Sequence, residues 1–478
     1  MNAGLWTVKA MADAMHAHAR GPLPASIGGL SIDSRTLKAG DAFFAIKGDN
    51  SDGHDYVDKA LAAKAGIAVV SQARCEQFAK DAPLLVVEDV LDGLRELARA
   101  ARARTNAKVI GVTGSVGKTG TKEALRLVLE RQGATHASVA SFNNHWGVPL
   151  SLARSPAETK YAIFEMGMNH AGEIGPLSQL VRPNIAIITA IAPVHLEYFK
   201  SLDGIADAKA EIFEGVEPGG AAILNRDSEH FARLAKKAAE MKIARIVSFG
   251  EDEKADARLI QCAMQPGSST VHANIFGEDV KYKLGAPGRH LVINSLAVLS
   301  AAALAGADLA ISALALAKLV PPAGRGSHIA LVLPGGAALL IDESYNANPV
   351  SMRAALALLG QAQIGSRGRR IAVLGDMLEL GDQADALHRA LADPIADNAV
   401  DLVFCSGPSM HALWEALPST RRGGYAEDSK GLEPKVIDAV RAGDAIMVKG
   451  SNGSKMAPIV KALERAYVRA PQDVQNLG

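Results

Sequence analysis

The sequence predicts an α/β protein of three domains: a central parallel sheet with crossover helices, a small α/β domain before it and a Rossmann-like α/β domain after it. Three observations predict this. Short apolar runs alternate with helical stretches along most of the chain, the pattern of a parallel sheet with helices on its faces. A glycine-rich turn stands within Gly111 to Glu123, between one such run and an amphipathic helix. Pro321-Pro322 followed by Gly324 breaks the alternation and marks a linker. At roughly 100–200 residues per domain, a chain of 478 residues holds about three, divided at 1–105, 106–319 and 320–478.

In the first segment SIDSRTLKAGDAFFAIKG carries two short strand-like runs, around Ile32 and from Ala42 to Ile46, with a Gly-Asp turn between them. DYVDKALAAKAG reads as a helix closed by Gly66, and IAVVSQ and LLVVED as further strands. In the second segment AKVI leads into the glycine-rich turn, and Ala124, Leu125, Val128 and Leu129 recur at helical spacing after it. YAIFEMG, NIAIITAI and AAILN are near-continuous apolar strands, which predicts burial on both faces of a largely parallel sheet. Leu296 to Val320 carries few charges, but Gly306 and Asp308 interrupt it, so two Ala-rich core helices fit better than a membrane span, with Asp308 as an N-cap. The third segment repeats the pattern with AALLIDE, RRIAVLGD, DLVFCSG and DAIMVKG.

Composition narrows the class. Lys plus Arg and Asp plus Glu both number 51, and this balance argues against bulk nucleic-acid binding or a polybasic membrane patch. Cys75, Cys262 and Cys405 are far apart, so neither a disulfide framework nor a zinc site is expected. The N-terminal stretch has no signal-type apolar block, and no exposed apolar face can be identified. The expectation is a cytoplasmic monomer acting on small molecules.

The turn GVTGSVGKTGTKE is the construction that grips a nucleoside triphosphate. Gly114 and Gly117 let the backbone approach phosphate oxygens, and Ser115, Val116 and Gly120 complete the loop. Helix-start N–H groups and the helix dipole favour the anion. Lys118 would reach the outer phosphates and Thr119 a Mg²⁺ ion. The common pattern wants Gly at position 112, where this chain has Val112. Polar residues stand at the ends of apolar strands, where an open parallel sheet places its ligand: Glu165, His195, Asp342, Glu343, Asp376 and Lys449. Several have bland alternatives. An acid at a strand end is often a helix cap, Lys209 in a helix is ordinarily solvated, and Arg325 past the linker is ordinarily a surface arginine. Asn143-Asn144 shapes a turn or holds a ligand. Asn294 caps a helix or meets an adenine edge. No GxSxG or Cys–His pattern supports a covalent hydrolase, and the histidines have no metal-ligand spacing.

From about Ile32 to Met456 the blocks DSRTLKAGDAFFAIKGDNSDGHDY, GVTGSVGKTGTKE, NNHWGVPL, FEMGMNHAGEI, HLEYFKSLDGIADAKAEIFEGV, DESYNANPVSM, LGDMLELG and VKGS resemble, in order, the Mur ligases of peptidoglycan synthesis. DESYNANPVSM and GDMLELG are similar to the branch that adds D-alanyl-D-alanine. The resemblance implies three domains, binding in turn the UDP part of UDP-N-acetylmuramoyl-tripeptide, ATP, and the incoming amine. It implies phosphorylation of the tripeptide carboxylate by ATP, then amine attack on the acyl phosphate. Carried over by motif, Thr119 and Glu165 match the ATP-side Mg²⁺ and His195 a second metal. Lys209 matches a lysine that the family carbamylates, which turns a cation into a carboxylate that helps organise the metal site. Asn294 and Arg325 match nucleotide contacts, Asp342 the block facing ATP, Asn144 a position near the muramoyl substrate, and Ser34 and Arg35 the UDP region. Two positions depart from the family pattern: Leu291 stands where many members have Asn, and Asn452 where many have Arg. Meso-diaminopimelate and L-lysine both suit the tripeptide's third position. A folylpolyglutamate synthase-like ligase shares the loop but usually reads Asp-Gly-Ala-His-Asn-Pro where this chain reads Asp342 to Pro349. A nucleotide-driven switch or motor ATPase would leave the DSR segment without a job.

Overall fold

The computed structural model describes residues 4–48, 51–139, 141–193, 197–199, 201–265 and 267–467. His195 and the C-terminal PQDVQNLG lie outside the described residues. Among the described residues a two-stranded ribbon and three larger sheets form.

The first large sheet runs, in spatial order, His18–Arg20, Leu84–Val87, Ile67–Ser71, Ala42–Phe44 and Leu30–Ser31. Its pairs are parallel except for the first. The runs IAVV and LLVV are buried throughout, as expected of strands covered on both faces. The helix Val57–Ala62 ends sooner than its sequence suggests. Lys64 takes the left-handed turn (φ 68°), whereas Gly66 is used for close approach, since a Cβ there would lie 3.2 Å from the carbonyl oxygen of Gly40.

The central sheet has nine strands, in order Glu278–Leu284, Ser268–Ile275, Ala257–Gln265, Arg245–Gly250, Ala221–Asn225, Ile185–Ile188, Lys108–Thr113, Tyr161–Glu165 and Thr135–Ala137. Six strands, from Arg245–Gly250 to Thr135–Ala137, are mutually parallel. Beyond them Ala257–Gln265 pairs parallel with its neighbour and then opens an antiparallel meander. The sheet is therefore mixed. The meander was hidden in the sequence because its strands are only half apolar, with buried residues alternating with half-buried or exposed ones from Ser269 to Ile275. From Lys108–Thr113 the chain runs to one side, to Thr135–Ala137, and the connection after Tyr161–Glu165 crosses back over it to Ile185–Ile188 on the other side; such a switch point is where an open sheet holds its ligand.

The helices Arg289–Leu304 and Leu309–Ala315 replace any spanning segment, and the Asp308 carboxylate accepts from the N–H of Ile311 at 2.8 Å. Among the described residues no helix is long and apolar enough to cross a membrane. The third sheet runs Ser327–Leu333, Gly336–Glu343, Ala445–Lys449, Arg370–Gly375, Leu402–Ser406 and Arg422–Ala426, parallel after the first pair. Ala445–Lys449, late in the chain, inserts beside Gly336–Glu343, so Glu343 and Lys449 end neighbouring strands.

The two-stranded ribbon and the first large sheet are both anchored to the central region by long-range contacts. Trp6 Nε1 donates to the carbonyl of Ala153 at 2.9 Å, with the Arg104 guanidinium 3.4 Å from its ring. Arg154 donates twice to the carbonyl of Leu30, at 2.9 and 2.6 Å. Hydrogen bonds from a charged donor are each worth about 1.5–3 kcal/mol, so this fork fixes the start of the DSR turn.

Candidate functional site

The loop after Lys108–Thr113 is shaped by two backbone positions and pinned from below. Gly114 has φ +147° and Gly117 φ +86°. The Thr189 hydroxyl donates to the carbonyl of Val116 at 2.5 Å, the Ser115 N–H to Ala190 at 2.7 Å, and the Ser115 hydroxyl to Ala192 at 3.1 Å. The segment following Ile185–Ile188 thus braces the loop, and the helix Lys118–Leu129 begins on its far side. Lys118 Nζ folds over the loop and donates to the carbonyl of Gly114 at 2.6 Å. Its side chain keeps some surface open to the cleft, yet enclosure lowers its pKa; nearby Glu165 opposes the shift and Arg325 adds to it.

Glu165, at the end of Tyr161–Glu165, is buried and caps no helix. One carboxylate oxygen accepts from the Thr119 hydroxyl at 2.9 Å, the other from Asn143 Nδ2 at 2.7 Å. The twin asparagines divide the work left open by sequence. Asn143 reaches the carboxylate, while Asn144 Oδ1 accepts from the N–H of Gly147 at 2.9 Å and so shapes the turn, although it also lines the cleft. Lys122 supports this segment from within, donating to the carbonyl of Ser138 at 2.7 Å.

Asn294 is not a helix N-cap. The helix begins at Arg289 after Gly288, which places Asn294 in its second turn. From there it faces the phosphate loop, since a Cβ at Gly117 would lie 2.6 Å from its Nδ2. Lys209 is not a solvated lysine either. It lies in the helix Leu202–Ala210, 1% exposed, and burial together with the charge of Lys118 drives its pKa well below the ordinary ammonium range. Two residues on, the Glu211 carboxylate accepts from the N–H groups of Gly172, Ile174 and Gly175 at 2.6, 3.1 and 3.2 Å. It thereby ties the Lys209 turn to the MGMNHAGEI loop.

The third sheet supplies the opposite wall. Lys449 is buried and donates to Glu343 Oε2 at 3.1 Å and to the carbonyl of Asn346 at 3.0 Å. Arg325 is half-buried with its guanidinium 4.2 Å from the ring of Tyr345. Asp342 stands behind the wall: its Oδ2 accepts from the N–H of Gly324 at 2.9 Å and its Oδ1 from the Ser344 hydroxyl at 2.6 Å. It orders the Arg325 loop and does not itself line the cleft. Asp376 behaves as the helix-cap alternative anticipated, accepting from the N–H of Met410 at 2.8 Å. The Glu197 N–H donates to the carbonyl of Glu379 at 3.3 Å, which joins the HLE segment to GDMLELG.

These walls enclose a cavity of about 970 Å³, lined by Ser115, Val116, Gly117, Lys118, Thr119 and Gly120 on one side and by Arg325, Glu343, Tyr345, Asn346 and Lys449 on the other, with Asn144, Glu165, Leu291, Asn294 and Asn452 around it. Lys455, the nearby charge that could have stood in for the missing arginine, is not part of the lining, whereas Asn452 is. Ser34 and Arg35 are not part of it either. They lie in the first domain, where the exposed Arg35 forks onto Asp33 at 2.7 and 2.9 Å. A smaller cavity of about 320 Å³ opens at the opposite pole of the central sheet and shares no residue with the cleft.

Thr189, Glu211 and Tyr345 belong to the site but were missed as individual residues, and Asn143 was named only jointly with Asn144. For Asn143 the signal was its place beside Asn144. For Glu211 it was the AKAEIF block itself. Thr189 and Tyr345 gave no local signal, because each acts through a partner remote in sequence.

The chain matches three family descriptions in succession: Mur ligase family, catalytic domain, over residues 26–102; Mur ligase middle domain over 112–302; and Mur ligase, glutamate ligase domain over 330–452. It is 35% identical over 433 residues to the UDP-N-acetylmuramoyl-tripeptide–D-alanyl-D-alanine ligase of Rickettsia prowazekii, covering 90% of this chain and 94% of that one. It superposes on the crystal structure of MurF from Acinetobacter baumannii with a TM-score of 0.82 at 30% identity, covering 96% and 99% of the two chains. It superposes on the MurF ligase of Thermotoga maritima, solved in complex with ADP, with a TM-score of 0.75 at 25% identity, covering 92% and 97%.

Proposed function

This chain belongs to the Mur ligase family, and we propose that it joins D-alanyl-D-alanine to UDP-N-acetylmuramoyl-tripeptide at the expense of ATP, in peptidoglycan precursor synthesis. The observation that carries this reading is the shared cleft, in which the phosphate-loop residues Lys118 and Thr119 and the carboxylate of Glu165 face the DESYNANP wall with Arg325 and Lys449. The activity named for the 35% identical relative supports it.

The reaction has two steps. The tripeptide's terminal carboxylate attacks the γ-phosphorus of ATP, giving an acyl phosphate and ADP. The amine of D-alanyl-D-alanine then attacks the acyl carbon, the C–O bond to phosphate breaks, and the nitrogen loses a proton as the amide forms. Both partners of the first step are anions, so positioning and positive charge supply most of the catalysis. Lys118 is held over the loop by Gly114 and can swing onto phosphate oxygens arriving there. The backbone between Gly114 and Gly120 cradles the phosphates, and Asn294 stands beside Gly117 for the nucleotide. Because Leu291 replaces the second amide common in the family, the adenine contact rests more heavily on Asn294.

The donor set fits Mg²⁺. Thr119 and Glu165 offer hard oxygens 2.9 Å apart at the cleft wall, and Asn143 fixes the carboxylate's other oxygen. When bound, the ion withdraws charge from phosphate oxygens. His195 is proposed to hold a second ion beside the substrate carboxylate. Lys209 is proposed to carry CO₂ as a carbamate: its neutral amine adds to the carbon of CO₂, one proton leaves, and a carboxylate replaces the cation. The depressed pKa of Lys209 supports this, since only the neutral amine reacts. Ser34 and Arg35 are assigned to the UDP end and Asn144 to the muramoyl end. A cytoplasmic monomer remains the expectation, and light scattering reads its mass.

The test is phosphate release from ATP and Mg²⁺ with each substrate omitted in turn, the nucleotide product being weighed by mass spectrometry. Release requiring both substrates, with a UDP-pentapeptide product, supports the reading. Turnover indifferent to both substrates would move the assignment to an ATPase switch, and no turnover would call for folate-type substrates. The same assay, run with diaminopimelate- and lysine-containing tripeptides, reads the third position.

A further inference from the structure

Arg325 is an arginine without an acid. Among the described residues no carboxylate lies within salt-bridge distance of its guanidinium, and the group packed on it is the ring of Tyr345 at 4.2 Å. The backbone is registered to the same residue. The Tyr345 N–H donates to the carbonyl of Gly324 at 3.1 Å, and a Cβ at Gly324 would lie 2.8 Å from the Cβ of Tyr345. Asp342 clamps the other side of the turn, its carboxylate accepting from the N–H of Gly324 at 2.9 Å and its carbonyl from that of Gly326 at 2.8 Å. The loop is thus built to hold one side chain in one place, and that side chain lines the cleft on the same wall as Tyr345.

A ring holds a guanidinium differently from a carboxylate. An acid would occupy the in-plane N–H donors and cancel the charge. A π-face takes only the flat of the group, leaving the donors and the positive charge available to an anion. The Tyr345 hydroxyl has no hydrogen-bond partner among the described residues, so the ring is the part of this side chain that makes the contact. Lys118 feels the charge of Arg325, which puts the two cations in one electrostatic neighbourhood.

We propose that Tyr345 is a positioning residue for the nucleotide: its ring holds the Arg325 guanidinium flat, with its N–H donors free for the anionic phosphates of ATP. This rests on the reading of Arg325 as a nucleotide contact.

The experiment measures ATP binding in the presence of Mg²⁺ and absence of acceptor, by titration calorimetry on the full chain, and the KM of each substrate in turnover. Tyr345→Phe keeps the ring, Tyr345→Leu keeps bulk without a π-face, and Arg325→Ala removes the cation. Thermal unfolding without nucleotide checks that each variant folds. Phe should bind ATP like the parent. Leu should weaken ATP binding by about threefold to thirtyfold, the span expected of a cation–π contact from exposed to desolvated, with the KM of D-alanyl-D-alanine unchanged. Adding Tyr345→Leu to Arg325→Ala should produce no further loss. A full further loss in the double variant, or a rise confined to the KM of D-alanyl-D-alanine, overturns the proposal alone. Unchanged ATP binding in Arg325→Ala overturns both the proposal and the nucleotide reading of Arg325.

Discussion

Gly114→Ala tests whether the phosphate loop needs the conformation seen here. The Cβ of an alanine would lie 2.0 Å from Thr189 Oγ1, against the 3.4–4 Å of ordinary contact, so something must move by more than an ångström. Thr189 is also the brace of the loop through its 2.5 Å bond to Val116, and it cannot retreat without releasing it. The φ of +147° adds strain of about 1–3 kcal/mol for a side chain in a sparsely populated region. A lost hydrogen bond adds about 1 kcal/mol. If the loop stays put, the chain loses about 2–4 kcal/mol of stability, read as a drop in melting temperature. If the loop shifts instead, a misplacement of about 1 Å at the reacting phosphate costs roughly a hundredfold in turnover. Thermal unfolding and steady-state kinetics with ATP as the varied substrate separate the two. Gly114→Ala/Thr189→Ala removes the 2.0 Å clash and leaves backbone contacts of 3.1 and 3.2 Å, so it should recover part of the loss relative to Thr189→Ala. Parental melting temperature and kcat/KM in Gly114→Ala would refute the geometry.

Lys209→Ala should lose most activity, and acetate or another short carboxylate should restore part of it; full activity without a supplement would dismiss the carbamate. Arg154→Ala removes both donors to Leu30, so the KM of the UDP substrate should rise about tenfold or more at about 1.5–3 kcal/mol per charged hydrogen bond, with the KM of ATP little changed; equal shifts in both would mean the fork does not act through the DSR turn. His388 is buried, and burial lowers its pKa; its Nε2 accepts from the N–H of Met377 at 2.9 Å and must be unprotonated to do so. The unfolded chain takes up that proton near pH 6.5 while the fold resists it. Stability is therefore complete above about pH 6.5 and falls as pH drops from there towards the folded pKa. His136, also held low by burial, adds to the same slope. Melting curves between about pH 5 and 7.5 should show the loss, and His388→Gln should flatten part of it; an unchanged slope would mean that His388 titrates alike in both states.

The parts legible in sequence were those whose cause is local. The strands Ala221–Asn225 and Ala445–Lys449 are continuous apolar runs, and the phosphate loop carries its own glycines, lysine and threonine. Asp308 caps its helix because the cap and the amide it serves are three residues apart. What escaped reading depends on partners far along the chain. Asn294 looked like a cap because it precedes an apolar helical run, but Gly288 frees the chain to start the helix earlier. Lys209 looked solvated because helix spacing alone cannot say that both sides are covered. The meander Ala257–Leu284 was invisible because buried residues are interspersed with exposed or half-buried ones along its strands.

Lys118, which lines the cleft, and Lys209, which is buried behind it, differ in how an ammonium charge is compensated. Lys118 and Lys209 are both enclosed, and the charge of Lys118 adds to the burial that disfavours an ammonium at Lys209. Lys118 has compensation: the carbonyl of Gly114 at 2.6 Å, nearby Glu165, and an opening to the cleft through which phosphate charge arrives. Lys209 has Glu211 within electrostatic reach, but that carboxylate already accepts from three backbone N–H groups of another loop. Among the described residues no hydrogen-bond partner meets Lys209 Nζ. A buried ammonium so placed is costly, and loss of its proton relieves the cost. The neutral amine that results is the form able to add CO₂. The carbamate proposed above would draw on that neutral amine and put a carboxylate where a buried cation would otherwise stand, within electrostatic reach of Lys118.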